Sequence, residues 1–285
     1  MIDHRLWCAV AMLMCVLTLI AHDGLDDQLT AATAAIASDP QNAGLLLRRA
    51  ELHRLHGDLP QALADVAQAQ ALGTLASGID RQRAKILVDQ QDYTGAFLAF
   101  SRHLSASPGD GDARAQRAQC AIRVGDPATA ISDLDAACAL LYQPDPDLLC
   151  QLADLLHAAG RTDKAIARLD AALARDGAIP AYVDHVLALE RASGRFSCVL
   201  TRLDRLIAST GQTRWLVERG ELLTHLGRVD EAHVAYREAA QALDNLPPAR
   251  RRSAANRALI LRIDQGLADL TTGSITASSS RTPAP

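Results

Sequence analysis

Six copies of one segment follow each other through most of this chain at a nearly fixed period, and a repeat of that length leaves little freedom in the fold. The stretch RRAELHRLHGDLPQALADVAQAQAL (48–72) aligns with QRAKILVDQQDYTGAFLAFSRHLSA (82–106) and QRAQCAIRVGDPATAISDLDAACAL (116–140). It aligns again with QLADLLHAAGRTDKAIARLDAALAR (151–175) and ERGELLTHLGRVDEAHVAYREAAQA (218–242), and a divergent copy at 185–209 fills the remaining slot. The turn position reads Gly57, Gln91, Gly125, Gly160, Gly194 and Gly227, so successive copies lie 34, 34, 35, 34 and 33 residues apart.

Each copy splits into two helical halves around that turn. In the fourth, Leu148, Leu149, Leu152, Ala153, Leu155 and Leu156 recur at helical spacing, as do Ala165, Ile166, Leu169, Ala172 and Leu173. The turn glycine can take the positive φ that ends a helix. Thr162 or Asp163 is then placed to start the next helix by accepting backbone N–H bonds. Pro60 and Pro127 occupy the same place in other copies, where a missing N–H costs nothing. The chain is 49% apolar but only 3% aromatic, so Ala and Leu carry the apolar share and favour helix over strand. The expected fold class is all-α.

Small residues indicate how the two helices meet. Ala62, Ala96, Ala130, Ala165 and Ala232 share one position in the second helix, and Ala50, Ala84, Ala118, Ala153 and Gly220 share one in the first. Small side chains at facing positions let helix axes approach to about 8–9 Å. On these residues and this period the chain resembles the tetratricopeptide repeat (TPR) family. The resemblance implies a right-handed superhelix, a solenoid of antiparallel helix pairs with capping helices. In the family's register the six repeats are 43–76, 77–110, 111–145, 146–179, 180–212 and 213–246. A capping helix is expected within 22–42 and another within 247–271, where Ala258, Leu259, Leu261, Ile263 and Leu267 would cover the sixth repeat. The segment 272–285 reads as a disordered tail, having too little apolar area to order itself.

The family often pairs an Arg in the first helix with an Asp in the second, and Arg49 with Asp65 and Arg117 with Asp133 match. Arg83 and Arg219 instead stand opposite Ala99 and Ala235. The fifth copy departs further, placing Leu187, Val199 and Leu206 at all three small-residue positions. A wider helix pair is expected there.

Arg5 precedes an uncharged apolar run from Leu6 to Ala21. As a helix that run spans roughly 24 Å, short of the roughly 30 Å hydrocarbon core. It has the build of a secretory signal, although Leu19 is large for its place before a cut at Ala21. Residues 1–21 therefore read as a signal peptide or an uncleaved signal anchor. The expectation is export, to the periplasm in a bacterium or to the extracellular space, with the chain either released or held at the membrane through residues 6–21. Cys120, Cys138, Cys150 and Cys198 show no metal-ligand spacing and read as small buried hydrophobes.

A net charge of -4 gives no reason to expect nucleic acid. There is no HExxH, GxSxG or P-loop pattern, and His53 and His56 lack a third ligand, so neither enzyme, metal nor cofactor is expected. The TPR resemblance implies that function resides on the concave face of the first helices. Its positions here carry Glu51, Arg54, Arg81, Lys85, Asp89, Gln119, Arg123, Asp154, His157, Asp184, Arg191, Glu221 and His225. This polar, mixed-charge groove suits an extended peptide. Family members that clamp a C-terminal carboxylate use Asn at the position that here reads Glu51, Lys85, Gln119, Asp154, Ala188 and Glu221, so that clamp is absent. The expectation is a monomeric, non-catalytic scaffold or adaptor for a protein or peptide partner. The alternative is an accessory subunit of a membrane complex, anchored by an uncleaved N-terminal helix.

Overall fold

In the computed structural model the described residues are 24–73 and 76–279; the expected signal or anchor lies outside them. They form helices joined by tight turns, with no strand among them. Helix α1 (24–38) is followed by α2 (Ala43–His56), α3 (Leu59–Ala71), α4 (Ala76–Asp89), α5 (Tyr93–Ala106), α6 (Gly111–Val124), α7 (Pro127–Leu140) and α8 (Pro146–Ala158). Then come α9 (Thr162–Asp176), α10 (Pro180–Ala192), α11 (Phe196–Thr210), α12 (Thr213–His225), α13 (Val229–Asp244), α14 (Pro248–Arg251) and α15 (Ala254–Ser279). The chain divides into two compact units, Met1–Arg168 and Leu169–Pro285.

In the first unit the alanines do what their size allows. Ala50 and Ala62 are fully buried together with Val66, and the same cluster takes in Ile79 and Ile86 of the next pair. Ala84, Ala96, Ala99 and Phe100 likewise share a cluster with Ala113 and Cys120 of α6. Each apolar layer thus spans one helix pair and the start of its successor, the nearest-neighbour packing of a repeat array. Ile36 of α1 packs with Ala43, Leu46 and Ala69, covering the first pair.

Side-chain caps hold the helix starts in this unit. Asn42, Asp92, Asp110 and Asp126 accept from the backbone N–H groups of Leu45, Gly95, Ala113 and Thr129. Gly57 and Gly125 end α2 and α6 in the left-handed conformation. Gln91 adopts φ 62° at the same turn of the second copy, the left-handed region in which a β-carbon is strained. Neither Thr162 nor Asp163 is the cap expected: they are the first two residues of α9, and the Thr162 hydroxyl meets His157 Nδ1 at 2.8 Å.

Two buried carboxylates tie helix pairs together. Arg49 grips Asp65 with two hydrogen bonds of 2.8 and 2.6 Å, and Arg117 grips Asp133 with two of 2.7 Å. Arg83 and Arg219, which lack that Asp, find other partners. Arg83 donates to Gln70 at 2.5 Å, and Arg219 donates to Asp204 at 2.7 Å.

The second unit solves the same packing problem with larger side chains. Leu187, Val199 and Leu206 are buried with Val183, Leu203 and Trp215. Helices α10 and α11 approach closely over much less of their length than α2 and α3 or α12 and α13 do, in keeping with the wider fifth pair. Glu190 is almost wholly enclosed and is held by Arg202 at 2.7 Å, which also reaches Asp170 at 2.7 Å. At the sixth pair Tyr236 lies between Gly220 of α12 and Gly266 of α15, occupying the place of the β-carbon that either would carry.

The C-terminal cap differs from its expected form. The chain makes one turn of helix at Pro248–Arg251, breaks, and restarts where the Ser253 hydroxyl accepts from Asn256 N–H. The covering face also differs from the expected one, with Ala258 exposed. Ile263 and Leu270 are buried on the sixth pair with Leu259, Ile260 and Leu267 partly covered, while Leu261 is 70% exposed. Helix α15 also runs to Ser279, into the segment expected to be a tail. The cysteines are mixed too: Cys120 is buried, Cys138 and Cys150 are half-buried, and Cys198 is exposed. The exposure of Cys198 corrects the expectation of a buried hydrophobe, because it sits on the outer face of α11.

Candidate functional site

First helices α2, α4 and α6 bring five of the expected groove residues into one open concavity of about 520 Å³. Arg54, Lys85, Asp89, Gln119 and Arg123 line it, over Val88, Tyr93, Gln116 and Cys120. The helical repeat causes this, since equivalent positions of successive first helices point to the same side.

Glu51 is the hub of the charges beside it. Arg54 donates to both its oxygens, at 2.8 and 3.0 Å, and Gln82 donates at 2.6 Å. Lys85 stands 3.4 Å from the same carboxylate, and Arg54 reaches on to Asp89 at 2.6 Å. The Arg54 hydrogen bonds, aided by Gln82 and Lys85 and opposed by partial burial, hold the Glu51 carboxyl down to about 2. The Arg54 guanidinium is raised by the same contacts. Thus a mixed-charge surface in the sequence is a closed ion-pair network in the structure.

Arg123 takes no part in that network. Its guanidinium lies over the Tyr93 ring, 5.3 Å from the centroid. Gln119 donates to Gln151 of α8 at 2.5 Å. The remaining groove residues of this unit lie outside the concavity. Arg81 turns to Asp110 at 3.4 Å, a carboxylate that also meets buried His103 at 2.7 Å. His157 is engaged with Thr162, and Asp154 is exposed.

The second unit gathers Asp184, Arg191, Glu221 and His225 in a concavity of about 650 Å³, with Leu187, Phe196, Arg214, Glu218, Leu222 and Arg262. Its charges are matched internally. Arg214 donates to Asp184 at 2.5 Å, Arg191 to Glu218 at 2.8 Å, and Arg262 to both oxygens of Glu221 at 2.7 Å. His225 meets Phe196 edge-on, with ring centroids 5.6 Å apart.

Sequence reasoning missed Tyr93, Gln82, Gln116, Arg214, Glu218 and Arg262 as site residues. Arg214 was within reach, because it holds a groove position in the register of the sixth repeat. Arg262 required treating the capping helix as the first helix of a further repeat. Among the described residues no group of three or more His, Cys, Asp and Glu side chains is placed to hold a metal ion.

The helix pairs, their small-residue contacts and the polar inner face define an antiparallel helix-pair repeat protein. The chain has the tetratricopeptide-repeat fold, and solved structures agree. The C-terminal part of a TPR repeat-containing protein from Cytophaga hutchinsonii matches 81% of this chain and 97% of its own, with a TM-score of 0.58 and 14% identity. Pseudomonas aeruginosa pilF matches 75% of this chain and 96% of its own, with a TM-score of 0.51 and 14% identity. In sequence, the rat (Rattus norvegicus) protein DnaJ homolog subfamily C member 3 is 33% identical over 105 residues, 34% of this chain. That match spans 21% of the rat protein's length. No family model matches the chain.

Proposed function

We propose that this protein is a non-catalytic scaffold that holds a partner protein or peptide against the first-helix faces of its repeats, outside the cytoplasm. The concavity of the first unit carries the proposal. Six charged or amide side chains from three successive repeats converge there beside Val88 and Tyr93, the composition that an extended peptide needs. The fold supports the reading, since the solved structures that share it include Naa15/Naa10 bound to HypK-THB, at a TM-score of 0.51 and 15% identity. Site-specific photocrosslinking tests it. A crosslinker at Gln119 should trap a defined partner, and one at Arg168, on a second helix, should not. Equal yields from both positions, or a partner trapped only at Arg168, would overturn the groove.

The location outside the cytoplasm rests on the apolar run from Leu6 to Ala21. Among the described residues no helix is long and apolar enough to cross a membrane. A second reading, an accessory subunit anchored by an uncleaved N-terminal helix, draws on Leu19, a poor residue for signal cleavage. Sequencing the mature N-terminus separates the two, and a start near His22 would remove the second.

A further inference from the structure

Five cations stand among the expected groove residues, and four of them face a carboxylate. Arg54 holds Glu51 and Asp89, Lys85 faces Glu51, Arg81 faces Asp110, and Arg191 holds Glu218. Arg123 alone has no carboxylate partner among the described residues. It is exposed at the last turn of α6, at the edge of the first unit's concavity, with its guanidinium over the face of Tyr93. Stacking fixes the plane of a guanidinium while leaving its edge N–H donors open, so the fork that recognises carboxylate stays available.

Two further features surround that cation. Val88 and the Tyr93 ring line the apolar side of the concavity. Gln116 also lines it and has no hydrogen-bond partner among the described residues. A primary amide both donates and accepts, as the backbone of an extended peptide requires. Asp89, the acid among the residues lining the concavity, is already bonded to Arg54, and Glu51 is shared among Arg54, Gln82 and Lys85. The negative charge of Glu51 and Asp89 is therefore balanced by Arg54 and Lys85, and the uncompensated charge is positive.

We infer that this concavity binds an extended peptide carrying a carboxylate next to an apolar side chain. The carboxylate pairs with Arg123, the apolar side chain rests on Val88 and Tyr93, and the peptide backbone bonds to Gln116. A carboxylate of an Asp or Glu side chain and one at a peptide C-terminus offer the same chemistry to Arg123. The inference rests on the groove reading above and narrows its ligand class.

Fluorescein-labelled peptides of about eight residues, roughly 26 Å when extended, test it in anisotropy titrations on the full chain. All three carry one Leu in a Gly/Ser background. The first has Glu beside the Leu and an amidated end, the second has Gln there and a free carboxylate end, and the third has Gln and an amidated end. The first or the second should bind about tenfold or more tightly than the third, as a charge-assisted hydrogen bond implies. Which one does so identifies the source of the carboxylate. The preference should vanish in Arg123→Gln, partly return in Arg123→Lys, and persist in Arg168→Gln, on a second helix, with circular dichroism confirming helix content in each. Equal binding of all three peptides overturns the inference and leaves the groove reading standing. A preference that survives Arg123→Gln, or no binding by any peptide, also overturns it. The crosslinking at Gln119 judges the groove reading separately.

Discussion

The Tyr236 ring lies 2.8 Å from the point that a β-carbon on Gly220 would occupy. Four of the other repeats carry Ala at this position of the first helix and the fifth carries Leu187, so a glycine under an aromatic ring is particular to the sixth. Gly220→Ala should therefore destabilise the second unit by about 1–3 kcal/mol through overpacking. Urea denaturation measures it. Adding Tyr236→Leu should recover part of the loss, whereas purely additive effects would show that the ring and the glycine are not coupled.

The two kinds of arginine–aspartate pair should behave differently. The Asp133 side chain is 1% exposed and bonded to Arg117 twice, whereas Asp204, bonded to Arg219, is 56% exposed. Asp133→Ala leaves a cation without its buried partner and should cost about 3–5 kcal/mol. Asp204→Ala should cost about 0–1 kcal/mol, the usual worth of a solvated pair. Paired denaturation curves on the two variants decide it.

Acid should loosen the Glu51 network. The Glu51 carboxyl titrates near 2 in the folded chain, depressed from 4.5 chiefly by Arg54. A depressed folded value means that the stabilisation is fully present above the unfolded value and is lost as pH falls through the folded one. The melting temperature should therefore drop between about pH 4.5 and about pH 2, as linkage requires. In Glu51→Gln that drop should be shallower, and circular dichroism melts across the window provide the check.

Thiol reactivity should follow exposure. Burial pushes the Cys120 and Cys150 thiols up to about 11, so both hold little thiolate at neutral pH. Cys198 is exposed on α11. A disulfide-exchange reagent on native protein should label Cys198 first, and Cys198→Ser should remove the fast phase of colour development.

Period and small residues made the helix pairs readable, because a repeat buries its apolar stripe at the same positions each time. Even the irregular fifth pair was visible in Leu187, Val199 and Leu206. Partners chosen by side-chain reach were not. Nothing in the sequence says that Arg219, lacking an Asp in its own second helix, turns back to Asp204, or that Arg202 crosses to Glu190. The groove residues were readable as a set, but their charge balance was not. Whether Arg123 is free depends on where Glu51 and Asp89 spend their oxygens, and that is set by rotamers rather than by spacing.

The cross-links between neighbouring repeats carry a kinetic meaning. Arg54 and Asp89 are 35 positions apart, Arg202 and Asp170 are 32, and Arg214 and Asp184 are 30. Each closes a chain loop of about one repeat, so no such contact awaits the ordering of a distant segment, and closure entropy is alike at every joint. Chains built from short-range contacts fold fast for their size. Within each unit, structure can nucleate at any helix pair and spread to the next, and unfolding can fray inward from an end one pair at a time.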